Sequence, residues 1–325
     1  MSDRRSIIQE IIEARDRRSS DLPTIELYSR LSHLQHAYEK RDENNKELLR
    51  YFPIALTACL ESYFRLAIKH LIDSGDPYLS NAESLVSKGQ FAFGIVKALH
   101  GKALTVGDVI AHSVSLSSLG HIASNMSSLM GIDFIEKVVS VHDRWNVEIR
   151  NQPKVPIVKD SQATYNYVAK TFDMRHIFCH ETATKHVFDP AEINHCFDHT
   201  IVFLQASDEF ISETLSPGAP LTQFEMNVRS AEEYQKEKAK LEQLNQKVLG
   251  LLESEHKAKY ENIHKAWERF IALSVELEGM EYGRGTIRPT IENRAAARMS
   301  RERADQVVQL IDMLTAPWGE KMCKG

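Results

Sequence analysis

"IALTACLESYFRLAIKHLID", residues 54–73, carries its apolar side chains at three- and four-residue steps. Leu56, Leu60, Tyr63, Phe64, Ala67 and Leu71 form one stripe on a helix of 3.6 residues per turn. Pro53 precedes the stripe and suits a first helical turn, where its missing N–H costs nothing. The turn-rich "DSGDPYLSN", residues 73–81, closes the element. The same periodicity continues outward in both directions, and no stretch alternates with the period of two that a half-buried strand needs. The predicted fold class is all-α.

Downstream, residues 106–149 read as shorter helices broken at "LGH" (119–121) and "MGID" (130–133), and "NQPKVPIVKD" (151–160) reads as a loop. "DPAE" (189–192) predicts a clean helix start, with Asp189 as N-cap, Pro190 at the first helical position and Glu192 completing a capping box. That helix is expected to run to about Leu215. "SPGAPLT" (216–222) reads as a linker. Residues 230–273 then read as one long exposed helix, with Leu241, Leu244, Val248, Leu251, Tyr260, Ile263, Trp267 and Phe270 near coiled-coil spacing. "GMEYGRGTIRP" (279–289) interrupts it, and a last helix is predicted over about 290–314. The expected organisation is an N-terminal helical extension (1–22), a helical bundle (23–215), the linker, and a long helix with a small helical domain (223–325).

The chain has 325 residues, 42% hydrophobic and 26% charged, which is enough for two domains with sizeable cores. A net charge of -5 does not itself point to nucleic acid, although a local basic groove can sit inside an acidic average. Cys59, Cys179, Cys196 and Cys323 are scattered without a CxxC pair, which excludes a zinc ribbon and gives no disulfide framework. No run is long and apolar enough for a membrane span, and "MSDRRSIIQEIIEARDRRSS" lacks the form of a signal peptide. A cytoplasmic location without membrane association is expected.

The densest chemistry lies in "DMRHIFCHETATKH", residues 173–186. Five of the fourteen histidines fall between positions 176 and 199, including the i,i+4 pairs His176/His180 and His195/His199, which on a helix share a face and can hold zinc. Against a metal stand Ile177, where a metalloprotease helix needs glutamate, and Arg175, a fixed cation beside His176. His195 and His199 also lie opposite the stripe Ile193, Phe197, Ile201 and Leu204, as on an ordinary exposed face. A zinc-dependent hydrolase using His176 and His180 is therefore a secondary alternative. Arg175 with His180 offers different chemistry: a permanent donor fork suited to phosphate and a proton-transfer group near neutral pH. Such a pair is sufficient for metal-free RNA cleavage by attack of the ribose 2′-hydroxyl. Five residues separate the two, about 140° around an ideal helix, so convergence calls for Arg175 in a first turn or for two chains face to face.

"RHIFCHE" (175–181) resembles the R-x4-6-H signature of the HEPN superfamily, helical-bundle proteins that include many metal-independent ribonucleases. The resemblance extends over residues 25–215: "ALTACLESYFRLAIKHLID" is similar to the early family helix bearing an acidic residue, here Glu61, and "LGHIASNMSSLMGIDFIEKV" to the middle region of the RiboL-PSP kind. It implies a homodimer whose two motifs meet at one cleft, with the histidine near the start of a helix. Position by position, it implies His180 for proton transfer, Arg175 for phosphate stabilisation, His176 as polar orienter and Glu61 as an accessory acid. It implies RNA as substrate, with no metal or other cofactor. Some members of the superfamily bind partners without catalysis, which makes a partner-binding scaffold the main alternative.

The segment 225–315 resembles the LprI type of lysozyme-inhibitor domain on Trp267, Phe270, the turn "GRGT" (283–286), Ser300 and Arg303. Exported members usually carry a cysteine pair; here Val275 and Ala296 stand near those places, in keeping with a reducing compartment. Trp267 and Phe270, three apart, are expected to pack as core. The two resemblances together imply a ribonuclease toxin or anti-phage effector, whose C-terminal domain meets a regulatory protein or phage-derived trigger.

Overall fold

A computed structural model describes residues 7–18, 23–42, 45–86, 93–101, 103–181 and 188–316. In chain order the helices are α1 (Ile7–Asp16), α2 (Pro23–Glu39), α3 (Lys46–Asp73), α4 (Tyr78–Asn81), α5 (Phe93–His100), α6 (Val106–Ser113), α7 (Leu119–Met130), α8 (Phe134–Ser140), α9 (Ser161–His180) and α10 (Pro190–Leu215). After the 216–222 connection follow α11 (Gln223–Leu251), α12 (Ser254–Met280) and α13 (Arg288–Thr315). The chain is all-α: among the described residues the sole β-type pairing is an isolated bridge between His142 and Pro156. The chain divides into two compact units, Met1–Pro217 and Gly218–Gly325. Among the described residues, no helix is long and apolar enough to cross a membrane.

In the first unit α3 is the central element. Asn45 caps its start, its side-chain oxygen accepting from the Leu48 N–H at 3.0 Å. Phe52, Leu56, Leu60, Phe64 and Ile68, at steps of four, are fully buried, and each contributes about 1.5–3 kcal/mol of transfer free energy. Against this stripe pack Leu27, Leu31 and Leu34 of α2, Val168 and Phe172 of α9, and Ile193, Phe197 and Leu204 of α10. Tyr38 stacks on Phe197 at 4.1 Å between centroids and meets the edge of Phe52 at 4.9 Å. Polar contacts anchor the helices as well. Asp208 of α10, 6% exposed, accepts from Thr24 Oγ1 at 2.9 Å and Tyr63 Oη at 3.2 Å; burial pushes the Asp208 carboxyl above its usual range and the Tyr63 phenol well above its own.

Three local expectations are corrected here. Pro53 lies inside α3, because the helix begins seven residues earlier; burial of Leu49 and Phe52 holds that first stretch helical despite the lost hydrogen bond. "LGH" opens α7 instead of breaking a helix, with Ser118 as N-cap accepting from the His121 N–H at 3.1 Å, and the interruption falls just before it. Glu192 completes no capping box: Asp189 alone caps α10 through the Ala191 N–H, and Glu192 is ion-paired with Lys170 of α9.

In the second unit the predicted long helix is two helices. It breaks at Leu252 and Glu253, where Leu252 is extended (φ -84°, ψ 145°) and its N–H is the last to reach back to the Val248 carbonyl. α11 and α13 run parallel along a seam of small side chains, Ala295, Ala296, Ser300 and Ala304, with Thr290 and Asn227 hydrogen-bonded at 2.6 Å. α12 returns antiparallel and meets α13 at Gly279, where a Cβ would stand 2.5 Å from Glu292 Oε1; Ile271 is buried on the same helix. Leu241, Val248 and Tyr260 are buried as the heptad pattern suggests, whereas Leu251, Ile263 and Phe270 are 47%, 54% and 61% exposed. Trp267 is half-buried and stacks on His264, so the expected core pair of Trp267 and Phe270 holds for the first and fails for the second.

The α3–α6 contact depends on a missing side chain. Gly107 donates its N–H to Asp73 Oδ1 at 3.0 Å, and an added Cβ would fall 2.5 Å from the Lys69 carbonyl oxygen. Gly107→Ala is expected to destabilise the protein by about 1–3 kcal/mol through overpacking, read as a lowered urea midpoint with an unchanged slope.

Candidate functional site

α9 presents the histidine-rich turn. Asp160 caps its start, accepting from the Ala163 N–H at 2.9 Å. Thr164, Val168, Thr171, Phe172 and Met174 are buried and fix the helix against its neighbours. The last turn then emerges: Arg175 is half-buried, while His176, Cys179 and His180 are exposed. His180 is the final helical residue, and the Glu181 N–H reaches back to the Ile177 carbonyl at 3.0 Å. The motif thus sits at the C-terminal end of a helix, whereas the expected position was near a helix start. His186 lies outside the described residues.

Arg175 Nη1 is 3.2 Å from His180 Nε2. The 140° separation is overcome within one chain and one helix, because five residues climb only about 7.5 Å along the axis, a span the arginine side chain covers. A guanidinium can only donate, so Nε2 of His180 accepts and its proton resides on Nδ1. The His176 ring lies beside it, 5.3 Å between centroids. The helix end adds the partial negative charge of its free carbonyls, so an anion here depends on Arg175 for compensation.

Glu61 is not part of this group. It is half-buried in mid-α3, and its charge acts on Arg65 one turn further along. The α3 residues beside the end of α9 are instead Glu47, Arg50, Tyr51 and Ile54, which with Phe178 and Glu181 line a cleft of about 190 Å³. Ile54 is seven residues before Glu61, about 10 Å along the helix. Arg50 bonds Glu47 at 2.6 Å and lies over the rings of Phe178 and Phe188 at 5.9 and 5.5 Å. Sequence reasoning missed this cationic and aromatic flank; the only local signal is an arginine three residues before Pro53.

The other histidine pair serves helix packing. Tyr167 of α9 stacks on both His195 and His199, at 4.9 and 5.0 Å, and His199 Nδ1 is 2.9 Å from Thr164 Oγ1. Among the described residues, no group of three or more histidine, cysteine or acidic side chains is placed to hold a metal ion. Cys59 and Cys196 are buried free thiols, and burial raises both above the usual thiol range, Cys59 to about 11.

Residues 216–307 match the family model described as Lysozyme inhibitor LprI. The second unit therefore contains a lysozyme-inhibitor-like helical domain of the LprI type. Gly279 meets Glu292 across the antiparallel α12 and α13, so Val275 and Ala296, one turn on from each, fall on facing turns. Comparison with curated proteins and with solved structures gives no match.

The Arg175 contact makes a spectroscopic prediction. In the free protein His180 is expected predominantly as the Nδ1–H tautomer, and Arg175→Ala should shift it towards Nε2–H. Long-range ¹H–¹⁵N correlation of the imidazoles reads both states directly.

Proposed function

We propose that the first unit is a metal-independent endoribonuclease and that the LprI-type unit regulates it. The observation that carries this reading is the direct contact of Arg175 with His180 on an exposed turn. In the cleavage step Arg175 leaves Nε2 of His180 and turns to the scissile phosphate. The freed Nε2 takes the proton of the ribose 2′-hydroxyl, whose oxygen attacks phosphorus. The guanidinium offsets the charge that builds on the phosphorane oxygens. The 5′-oxygen departs with a proton supplied by solvent water, leaving a 2′,3′-cyclic phosphate and a 5′-hydroxyl, and the His180 imidazolium returns its proton to water. His176 orients the phosphate or the neighbouring imidazole, and Glu61 takes no direct part.

The tether at 216–222 keeps the second unit at high effective concentration near the nuclease without requiring tight intrinsic affinity. A ribonuclease under such control fits a toxin or anti-phage effector released by a regulatory protein or phage-derived trigger, the setting that the two family resemblances together imply. The second reading is a partner-binding scaffold without catalysis, favoured by the match of residues 216–307 to the family model described as Lysozyme inhibitor LprI.

The test is RNA cleavage by the full chain in excess EDTA, with the cut ends mapped. Cyclic phosphate ends are expected, with activity lowered on the order of 10²-fold or more by His180→Ala and comparably by Arg175→Ala. Glu61→Gln should leave the rate unchanged. Cleavage that survives both substitutions at 175 and 180 would overturn the assignment.

A further inference from the structure

We propose that α12 is a self-association surface that pairs antiparallel with α12 of a second copy of this chain; this stands independently of the nuclease reading. Ile263, Ala266, Phe270, Leu273, Leu277 and Met280 follow one another at steps of three, four, three, four and three. That is the a/d seam of a two-stranded coiled coil. All six are exposed, the five large ones by 54–68%. They run about 26 Å along one side of α12. The seam lies about 130° around the axis from buried Ile271 and about 150° from Gly279, which stands against Glu292 of α13. These five side chains offer on the order of 500 Å² of apolar surface, beyond a scattered exposed leucine and towards the per-partner area of a standard interface.

The seam's order selects the occupant and its direction. Opposed to itself, it brings Phe270 against Leu273, Ala266 against Leu277 and Ile263 against Met280, so every small side chain meets a large one. A parallel pairing would put Ala266 on Ala266 and leave a gap in that layer. The charges agree. Arg269 and Glu276 flank the seam at the g positions, both exposed, and neither has an ion-pair partner among the described residues, whereas Glu278 nearby is held by Arg298. Antiparallel pairing places Arg269 of each copy beside Glu276 of the other, twice by symmetry. Parallel pairing would set Glu276 beside Glu281 of the second copy, a like-charge contact that disfavours that arrangement. The seam is bounded at both ends: the preceding a and d positions are His256 and Lys259, and Met280 is the last helical residue.

The experiment is the light-scattering mass of the full chain at micromolar concentration. Wild type is expected to self-associate, and Leu273→Glu, at an exposed position, to halve the mass while leaving far-ultraviolet helicity unchanged. Arg269→Glu and Glu276→Arg should each weaken association several-fold. An equimolar mixture of the two single variants should recover it, because the mixed pair restores both ion pairs. A monomeric wild type, a mass indifferent to Leu273→Glu, or single-charge variants that fail to recover on mixing would each overturn the proposal.

Discussion

Burial of the α3 stripe is the constraint on which the first unit depends. Phe52, Leu56, Leu60, Phe64 and Ile68 are each sealed from water, which requires cover on several sides of a single helix. α2, α6, α9 and α10 supply it. Because Phe172 and Met174 are drawn into that core, the rotation of α9 about its axis is set, and the half-buried Arg175 and exposed His180 follow within the next two turns. The chemistry is therefore placed by packing several residues away from it. Only the final contact between guanidinium and imidazole is local.

That contact has a double character. It holds His180 in the tautomer whose Nε2 lone pair can accept a proton, yet it also occupies the lone pair. In the proposed cleavage step, a phosphate that competes for the guanidinium would free the imidazole to act as the base. The negative end of the helix weighs against bare anion binding, so the site favours a ligand that engages the arginine directly. The flank formed by Arg50, Phe178 and Phe188 offers a cation and aromatic surface, the elements used in binding single-stranded nucleic acid. On an ideal helix Phe178 points about 160° away from His180, so on the proposed nuclease reading this flank would meet an approaching strand and not the reacting atoms.

The helical class was legible because the apolar period of α3, α10 and α13 is strong, and Asp189 with Pro190 marked a helix start in advance. Local rules failed where burial outweighed them. Pro53 carries the sign of a first turn, but Leu49 and Phe52 extend the helix in front of it. The break at Leu252 and Glu253 carries neither glycine nor proline, so periodicity ran through it. The exposed seam of α12 was visible only in part, since a heptad list does not say which apolar side chains lack a partner. At the site, residue types were legible in "RHIFCH"; the meeting of Arg175 with His180 depends on side-chain reach, which a helical wheel omits. Arg50 and Phe178 are too distant in sequence for pattern reading to join. The C-terminal resemblance rested on Trp267, the "GRGT" turn and Arg303, and the same region matches a family model.

The most direct measurement is a titration of the full chain with an uncleavable 2′-O-methyl RNA oligonucleotide in EDTA, following the imidazole resonances. Binding is expected to perturb His180 and His176, to release Nε2 of His180 from Arg175 as the guanidinium turns to phosphate, and to be lost in Arg175→Ala. Binding that leaves both imidazoles unmoved, or that persists undiminished in Arg175→Ala, would contradict a phosphate-handling role for this turn.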